Sequence, residues 1–464
     1  MKARDLIDLG YKPGPAIGVA LKLVDELKPT LGRDGIVADL TAILNNPTAF
    51  KDHPQWSPLA MTLIDHQARQ STYVERETPA PYKIWGEGLE AGALDQMRNA
   101  VRLPIAVSGA LMPDAHQGYG LPIGGVLATD NAVIPYAVGV DIACRMKLSV
   151  YDIPAEHLHR LEQQLELALQ RETVFGTGGA QKKAIDHPVF EEDWSVSPIA
   201  KKNFDKASAQ LGTSGSGNHF AEFGILTVNE AQNGIPAGKH LALLTHSGSR
   251  GTGAAIADYY SKMAMDLHPE LPAQLRYLAW LDMDTDAGRE YFAAMELMGL
   301  YAAANHAVIH AKIAKAIGAK VIAGVENHHN FAWKETHHGR DVIVHRKGAT
   351  PAGVGVLGII PGSMATPGFV VRGKGVAASL TSASHGAGRK MSRTAAKNSF
   401  RWAHFKKQFE EQGVKLLSAG IDEAPGAYKD IHQVMAQQAD LVDVLARFDP
   451  KIVKMADAGE KPED

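Results

Sequence analysis

The chain has 464 residues, 45% hydrophobic and 21% charged, which are globular proportions with length for one large domain or two to three smaller ones. A net charge of −3 excludes a uniformly basic nucleic-acid binder, and no run approaches the roughly 18 apolar residues of a membrane span. Met1-Lys2-Ala3-Arg4-Asp5 lacks the apolar core of a secretory signal, so a cytoplasmic protein without a membrane partner is expected.

In chain order, Pro13-Gly14-Pro15 leads into Ala16-Ile17-Gly18-Val19-Ala20-Leu21-Lys22-Leu23-Val24, an apolar helical pattern. Asn45-Asn46-Pro47 breaks it, and Trp56 to Ala68 offers a second short helix. The Pro-rich Thr78-Pro79-Ala80-Pro81 reads as a linker, so residues 1–80 are expected to be a helical appendage. From Tyr82 onward no boundary is evident. The Gly-bounded runs Ile123–Ala128 and Leu241–Leu244 read as buried strands, and Glu156–Arg171, Arg289–Ile317 and Gln433–Phe448 as helices. Strands and helices mix without a regular βαβ rhythm, which predicts an α+β fold. Residues 172–212 are polar and irregular, and Met455–Asp464 reads as a disordered tail.

The lone cysteine, Cys144, excludes an internal disulfide and is either a small buried hydrophobe or a ligand. It lies in Val138-Gly139-Val140-Asp141-Ile142-Ala143-Cys144-Arg145; if this stretch is helical, Asp141 and Cys144 share one face at i, i+3. A carboxylate and a thiolate on one face suit a borderline-soft divalent metal, although a capping Asp beside a buried Cys has the same spacing. Three histidines sit in small polar or glycine-rich blocks: Gly215-Ser216-Gly217-Asn218-His219-Phe220, Thr245-His246-Ser247-Gly248-Ser249-Arg250-Gly251 and Asn327-His328-His329-Asn330. Taken singly each is more often structural; with Asp141 and Cys144 they supply five ligands, enough for two metals sharing one. A fourth block, Ser384-His385-Gly386-Ala387-Gly388-Arg389-Lys390, offers an imidazole that could be a nucleophile at phosphorus, a ligand or a turn residue. It lies inside Val342–Phe409, which contains no Asp or Glu but many Lys and Arg: a positive surface for a polyanion, or a face balanced by acids elsewhere in the fold. There is no Gly-x-x-x-x-Gly-Lys-Ser/Thr phosphate loop.

Those blocks, together with Met112-Pro113-Asp114-Ala115-His116-Gln117-Gly118-Tyr119-Gly120, Arg346-Lys347-Gly348-Ala349, Pro361-Gly362-Ser363-Met364 and, nearer the end, Ala427-Tyr428-Lys429-Asp430, occur in the order of the RtcB family of RNA-splicing ligases, which the chain resembles over roughly residues 82–454. The resemblance implies one large mixed-sheet catalytic domain and a GTP- and manganese-dependent ligase, acting in RNA repair or tRNA splicing. Such an enzyme joins RNA 3′-phosphate or 2′,3′-cyclic phosphate ends to 5′-hydroxyl ends, with an archease-like activator as a partner. By the same resemblance Cys144 bridges two manganese ions, with His246 and His329 completing one site and Asp141 and His219 the other; His385 carries a covalent guanylate. GTP contacts are implied for Asn218, His219, Phe220, Ala221, Glu222, His329, Asn330, Pro361, Gly362, Ser363, Met364, His385, Gly386, Ala387, Gly388 and Lys454. Arg250, Lys347, Arg389 and Arg393 are implied phosphate or RNA contacts. One departure stands out: where the family commonly has Ser four positions after the Met of Pro-Gly-Ser-Met, this chain has Gly368, and a nucleotide-facing hydroxyl is lost. Some relatives are paralogues, so an RNA end-processing phosphodiesterase or RNA-damage-binding protein without efficient ligation is the alternative implied.

Overall fold

The computed structural model describes residues 1–11, 15–70, 73–231 and 234–460. The expected helix entry at Pro13-Gly14 and the last four residues of the expected tail, 461–464, lie outside them. The chain divides into two compact units, Met1–Val74 with Leu267–Ala273, and Glu75–Asp266 with Gln274–Asp464.

The first unit is helical: Ala3–Asp8, Pro15–Asn45 and Ser57–Gln70, with a 3-10 turn at Pro47–Phe50 where Asn45-Asn46-Pro47 interrupts the pattern. The long helix is two helices joined at Gly32, whose φ of 67° breaks the hydrogen-bond ladder. Leu6, Val24, Ile36, Leu40, Trp56 and Leu59 form its core, and the two buried polar tips are satisfied: Trp56 Nε1 donates to Asp39 Oδ2 at 2.9 Å and Tyr11 OH to the Leu40 carbonyl at 2.7 Å.

The second unit is α+β and holds two large sheets. One has five strands in the order Tyr82–Ile84, Ala106–His116, Ile123–Thr129, Arg340–Lys347, Phe331–His337. The other runs Leu357–Ile360, Gly368–Gly373, Val442–Met455, Phe220–Val228, Gly238–Ser247, Arg145–Pro154, Val321–His328, with Lys415–Ser418 added beside Val442–Met455. Strand alternation divides the second sheet's side chains between two cores. Ala242 and Leu244 join Met146, Leu148 and Phe448 on one face; Leu241 and Leu243 join Phe223, Leu165 and Ile313 on the other, beneath the helices Leu158–Glu172 and Asp286–Ile317.

Asp286–Ile317 is long and apolar enough to cross a membrane, yet its most apolar window is 67% buried inside the protein. It also carries buried Asn305, His306 and His310, which hydrogen-bond Gly212 N, the Ser247 carbonyl and Thr245 Oγ1, as a core helix of this sheet would.

Several expectations change. Gln433–Phe448 is a six-residue helix, Ile431–Ala436, followed by the strand Val442–Met455, because its apolar residues alternate with period two after the turn at Gln438. Residues 172–212 contain two short helices, Pro198–Lys202 and Phe204–Gln210, beside a buried Trp194. The supposed linker is strapped down: Ala80 N donates to the Val101 carbonyl at 2.8 Å and Gly109 N to that of Pro81 at 3.0 Å. The start of the supposed tail is ordered, with Met455 and Ala456 buried.

Candidate active site

Four neighbouring strands deliver the cluster. Phe220 pairs with His246, His246 with Met146, and Arg145 with His328. The residues just beyond or at those strand ends, His219, His246, Cys144 and His329, therefore meet at one end of the sheet although up to 185 positions separate them.

Asp141 and Cys144 do share a face, but on a turn and not a helix. The helix Pro135–Val138 stops at Gly139, φ 106°; Cys144 N then donates to the Asp141 carbonyl at 3.3 Å, with Ala143 in the left-handed region at φ 57°. Asn330 holds this strained turn, accepting from Ala143 N at 2.8 Å and donating through Nδ2 to the Asp141 carbonyl at 3.3 Å. Any side chain at Gly248 would overlap the Asp141 carboxylate, and one at Gly215 the Arg250 guanidinium, which accounts for two of the glycines beside the histidines.

Cys144 Sγ lies 3.0 Å from His246 Nε2 and 3.4 Å from His219 Nε2; His246 Nε2 is 3.1 Å from His329 Nε2, and His219 Nε2 is 2.9 Å from Asp141 Oδ2. The donors form two triads, Cys144–His246–His329 and Asp141–Cys144–His219, each with its ligand atoms within 4.8 Å of one another. All five residues are buried. Burial, and then neighbouring histidine charge, holds His246 and His329 well below the ordinary histidine range, so their lone pairs are free at neutral pH. Burial pushes the Asp141 carboxyl up, but the hydrogen bond and charge of His219 outweigh it and keep Asp141 ionised. His329 Nδ1 is buried with no hydrogen-bond partner among the described residues. A thiol, three imidazoles and a carboxylate so close together fit one or two divalent metals.

His385 follows the strand Ser382–Ser384, and its ring centroid stands 4.9 Å from that of His329. Its Nδ1 lies 2.7 Å from Oδ2 of Asp114, a fully buried residue on Ala106–His116; the same oxygen accepts from the amides of His385 and Gly386 at 3.2 and 3.3 Å. Burial opposes the Asp114 charge, but His385 and Lys429 prevail and lower its pKa. Lys429 Nζ donates to the Pro113 and Ala115 carbonyls on either side. Sequence reasoning passed over Asp114. The available signal was an acid inside a strand that must be buried, a position an acid holds only with a partner.

A cavity of about 600 Å³ opens over this cluster, lined by Asp141, Cys144, Asn218, Phe220, Glu222, His246, His329, Asn330, Lys347, Pro361–Met364, His385–Gly388, Arg389 and Arg393. Burial pushes Glu222 up to about 8 and Lys347 down to about 7, so Glu222 is largely protonated at neutral pH. At the position of the missing serine, Gly368 begins a strand, while Thr366 Oγ1 in the preceding loop accepts from Ser363 N at 2.6 Å.

Four expected contacts do not line the cavity, and one of them, His219, is a donor of the second triad. Ala221 packs in the helix-side core, and Lys454, its strand partner, points the same way, donating to the Leu169 and Gln170 carbonyls at the end of Leu158–Glu172. Arg250 is buried behind His219, its Nε 3.2 Å from Thr213 Oγ1 and its Nη1 3.5 Å from His219 Nδ1, where it positions the ring. The acid-free run is balanced from outside itself: Arg346 by Glu335, Arg372 and Lys374 by Asp443, and Arg389 and Arg393 by Asp422 and Glu423.

The profile of the family described as "tRNA-splicing ligase RtcB" matches residues 96–455. The RNA-splicing ligase RtcB of Escherichia coli K12 is 35% identical over 398 residues, covering 79% of this chain and 95% of that protein. The tRNA-splicing ligases RtcB of Archaeoglobus fulgidus and Thermococcus kodakarensis are 30% and 28% identical, over 78% and 77% of this chain and 90% and 89% of theirs. With the family profile matching residues 96–455 and a relative 35% identical over 79% of the chain, the chain belongs to the RtcB family.

Proposed function

We propose that this protein is an RNA ligase that uses GTP and manganese to join 3′-phosphate or 2′,3′-cyclic phosphate ends to 5′-hydroxyl ends through a guanylate on His385. Family membership supports the reaction class. The observation that carries the mechanism is the pairing of His385 Nδ1 with buried Asp114 beside two metal-ligand triads that share Cys144.

An ionised Asp114 accepts a hydrogen bond from Nδ1–H and so leaves the lone pair on Nε2 of a ring that lines the cavity. His385 Nε2 attacks the α-phosphorus of GTP; the nitrogen–phosphorus bond forms as the bond to pyrophosphate breaks. An oxygen of the RNA 3′-phosphate then displaces His385 and takes the guanylate. The 5′-hydroxyl attacks that activated phosphorus, and GMP leaves. A 2′,3′-cyclic end is first opened by water to the 3′-phosphate. Asp141, Cys144, His219, His246 and His329 would hold two divalent ions, which would supply positive charge to phosphate oxygens. Glu222, whose carboxyl burial keeps protonated, can donate to or accept from a nucleobase edge, and Lys347 can meet a phosphate with or without a proton.

The test is to incubate the protein with GTP labelled at the α-phosphorus and manganese. A protein-bound label that survives alkali, hydrolyses in acid and is absent from His385→Ala is expected. Label on a lysine, or full labelling of His385→Ala, sinks the mechanism.

A further inference from the structure

We infer that Tyr119, backed by Tyr277 and Tyr136, is a stacking platform for the terminal nucleobase of the RNA strand at the cavity mouth. The inference rests on the ligase reading for its ligand, a single-stranded RNA end. It adds a binding residue that chemistry at His385 does not require.

Tyr119 lines the cavity and is 65% exposed, the most exposed aromatic ring among the described residues. It is not loose. Its loop is pinned on both sides: Gln96 exchanges hydrogen bonds with Gly118 at 2.6 and 3.0 Å, and Gln117 N donates to Glu90 Oε2 at 2.9 Å. Gly120 sits so tightly against Tyr277, φ 70°, that a Cβ there would come within 2.6 Å of the Tyr277 carbonyl oxygen. Tyr119 packs edge-on against Tyr277 at 5.4 Å, and Tyr277 against Tyr136 at 4.8 Å. A large apolar ring held rigidly in water loses little entropy on binding a flat partner, which is the condition under which aromatic stacking contributes most.

Two connections fix what that partner is. The Tyr119 carbonyl accepts from Lys347 Nζ, and the next residue, Gly348, leaves only 3.1 Å between a notional Cβ and His385 Cε1. Tyr136 lies on Pro135–Val138, the short helix that runs into the Asp141–Cys144 turn. Tyr119 and Tyr136 thus line the same cavity as the nucleophile and the candidate metal ligands, with the Lys347 amine bound to the Tyr119 carbonyl as a partner for a phosphate. A strand whose terminal phosphate enters the cavity must lay its last base near the rim. Every base offers a π-face, so such a platform binds ends without choosing sequence.

The experiment uses the full chain with manganese and a short RNA ending in a 3′-phosphate whose terminal base is 2-aminopurine, compared with the same RNA carrying an abasic terminal residue. Stacking on tyrosine quenches the probe. Wild type and Tyr119→Phe should quench it and bind alike; Tyr119→Leu and Tyr119→Ala should lose the quenching and bind about tenfold or more weakly, with the loss in KM for RNA exceeding that in kcat. The abasic RNA should bind wild type and Tyr119→Leu equally. Equal quenching and affinity in Tyr119→Leu, or wild-type affinity for the abasic RNA, overturns the platform. Wild-type protein that quenches the probe yet forms no guanylate would instead overturn the ligase reading and leave the platform standing.

Discussion

His385 Nδ1 lies 2.7 Å from Asp114 Oδ2, and that carboxylate oxygen also accepts the backbone amides of His385 and Gly386. One buried oxygen therefore fixes the ring's tautomer, its rotation and the loop that carries it.

Asp114→Asn keeps the shape of this arrangement but removes the charge, so the wrong imidazole tautomer becomes competitive. Guanylate formation should fall at least about 100-fold, by analogy with other carboxylate-oriented histidines. Metal content should be unchanged, because Asp114 is not among the donors of either triad. Retained activity with normal metal would mean that His385 is oriented by something else.

Glu222 gives a pH signature. Its pKa is raised by burial from 4.5 to about 8, so between those values the unfolded chain releases a proton that the folded chain keeps. Folded stability from this group is fully present below pH 4.5 and is lost as pH rises through about 8. Glu222→Gln should flatten the decline of Tm over that window in metal-free, nucleotide-free protein. Parallel Tm profiles for the two proteins would show that Glu222 ionises normally in the cavity.

The boundary between the units suggests where the chain can be cut. Glu75–Pro81 hydrogen-bonds along the larger unit: Arg76 N to the Arg102 carbonyl, Arg76 Nη1 to that of Ala106, Ala80 N to that of Val101, and Gly109 N back to Pro81. Each such bond contributes about 1 kcal/mol. A chain beginning at Glu75 should therefore fold and react with GTP, whereas one beginning at Tyr82 should melt several degrees lower. Equal melting temperatures would return Glu75–Pro81 to the role of a free linker, and failure of both to fold would make the helical unit integral to the catalytic one.

Much of the cluster was legible because its donors are chemically rare residues set in glycine-rich blocks, and glycine there has a steric cause visible at Gly215 and Gly248. The unit's α+β character followed from Gly-bounded apolar runs such as Leu241–Leu244 mixing with helical stretches without a βαβ rhythm. What escaped depends on three-dimensional parity and pairing. Lys454 falls on the far face because the strand Val442–Met455 has an irregularity between Pro450 and Ile452, which moves Ile452 to the core opposite that of Phe448. The one letter that marks that bulge is Pro450, which a strand in the middle of a sheet holds only beside an irregularity. The acid-free stretch was legible only in part: Glu335, Asp422, Glu423 and Asp443, which pair with Arg346, Arg372, Lys374, Arg389 and Arg393, lie outside the window, while Lys347, Arg389 and Arg393 still line the cavity. Asp114 was missed because a buried acid is identified by its partner, and His385 is 271 residues away.

Cys144 is the one donor common to both triads, and that makes metal stoichiometry a sharp test of each ligand. His246→Ala should remove the ion held by Cys144 and His329 while leaving the other; Asp141→Asn should do the reverse. Cys144→Ala should remove both, because each site would keep only two protein donors, and a thiolate shared by two cations has no substitute nearby. The fold should survive, since Cys144 is small and its backbone, not its side chain, holds the turn to Asp141 and His329. Relief from crowding should even be visible: without a metal, Cys144 Sγ and three imidazoles share one buried space. Metal-free Cys144→Ala should accordingly melt within a few degrees of metal-free wild type, while the stabilisation that manganese gives wild type disappears in the variant. Elemental analysis after equilibrium dialysis reads the ion count directly, and thermal melts with and without manganese read the coupling. Two ions retained by Cys144→Ala would dissolve the shared-ligand assignment, and one retained would assign the cysteine to a single site.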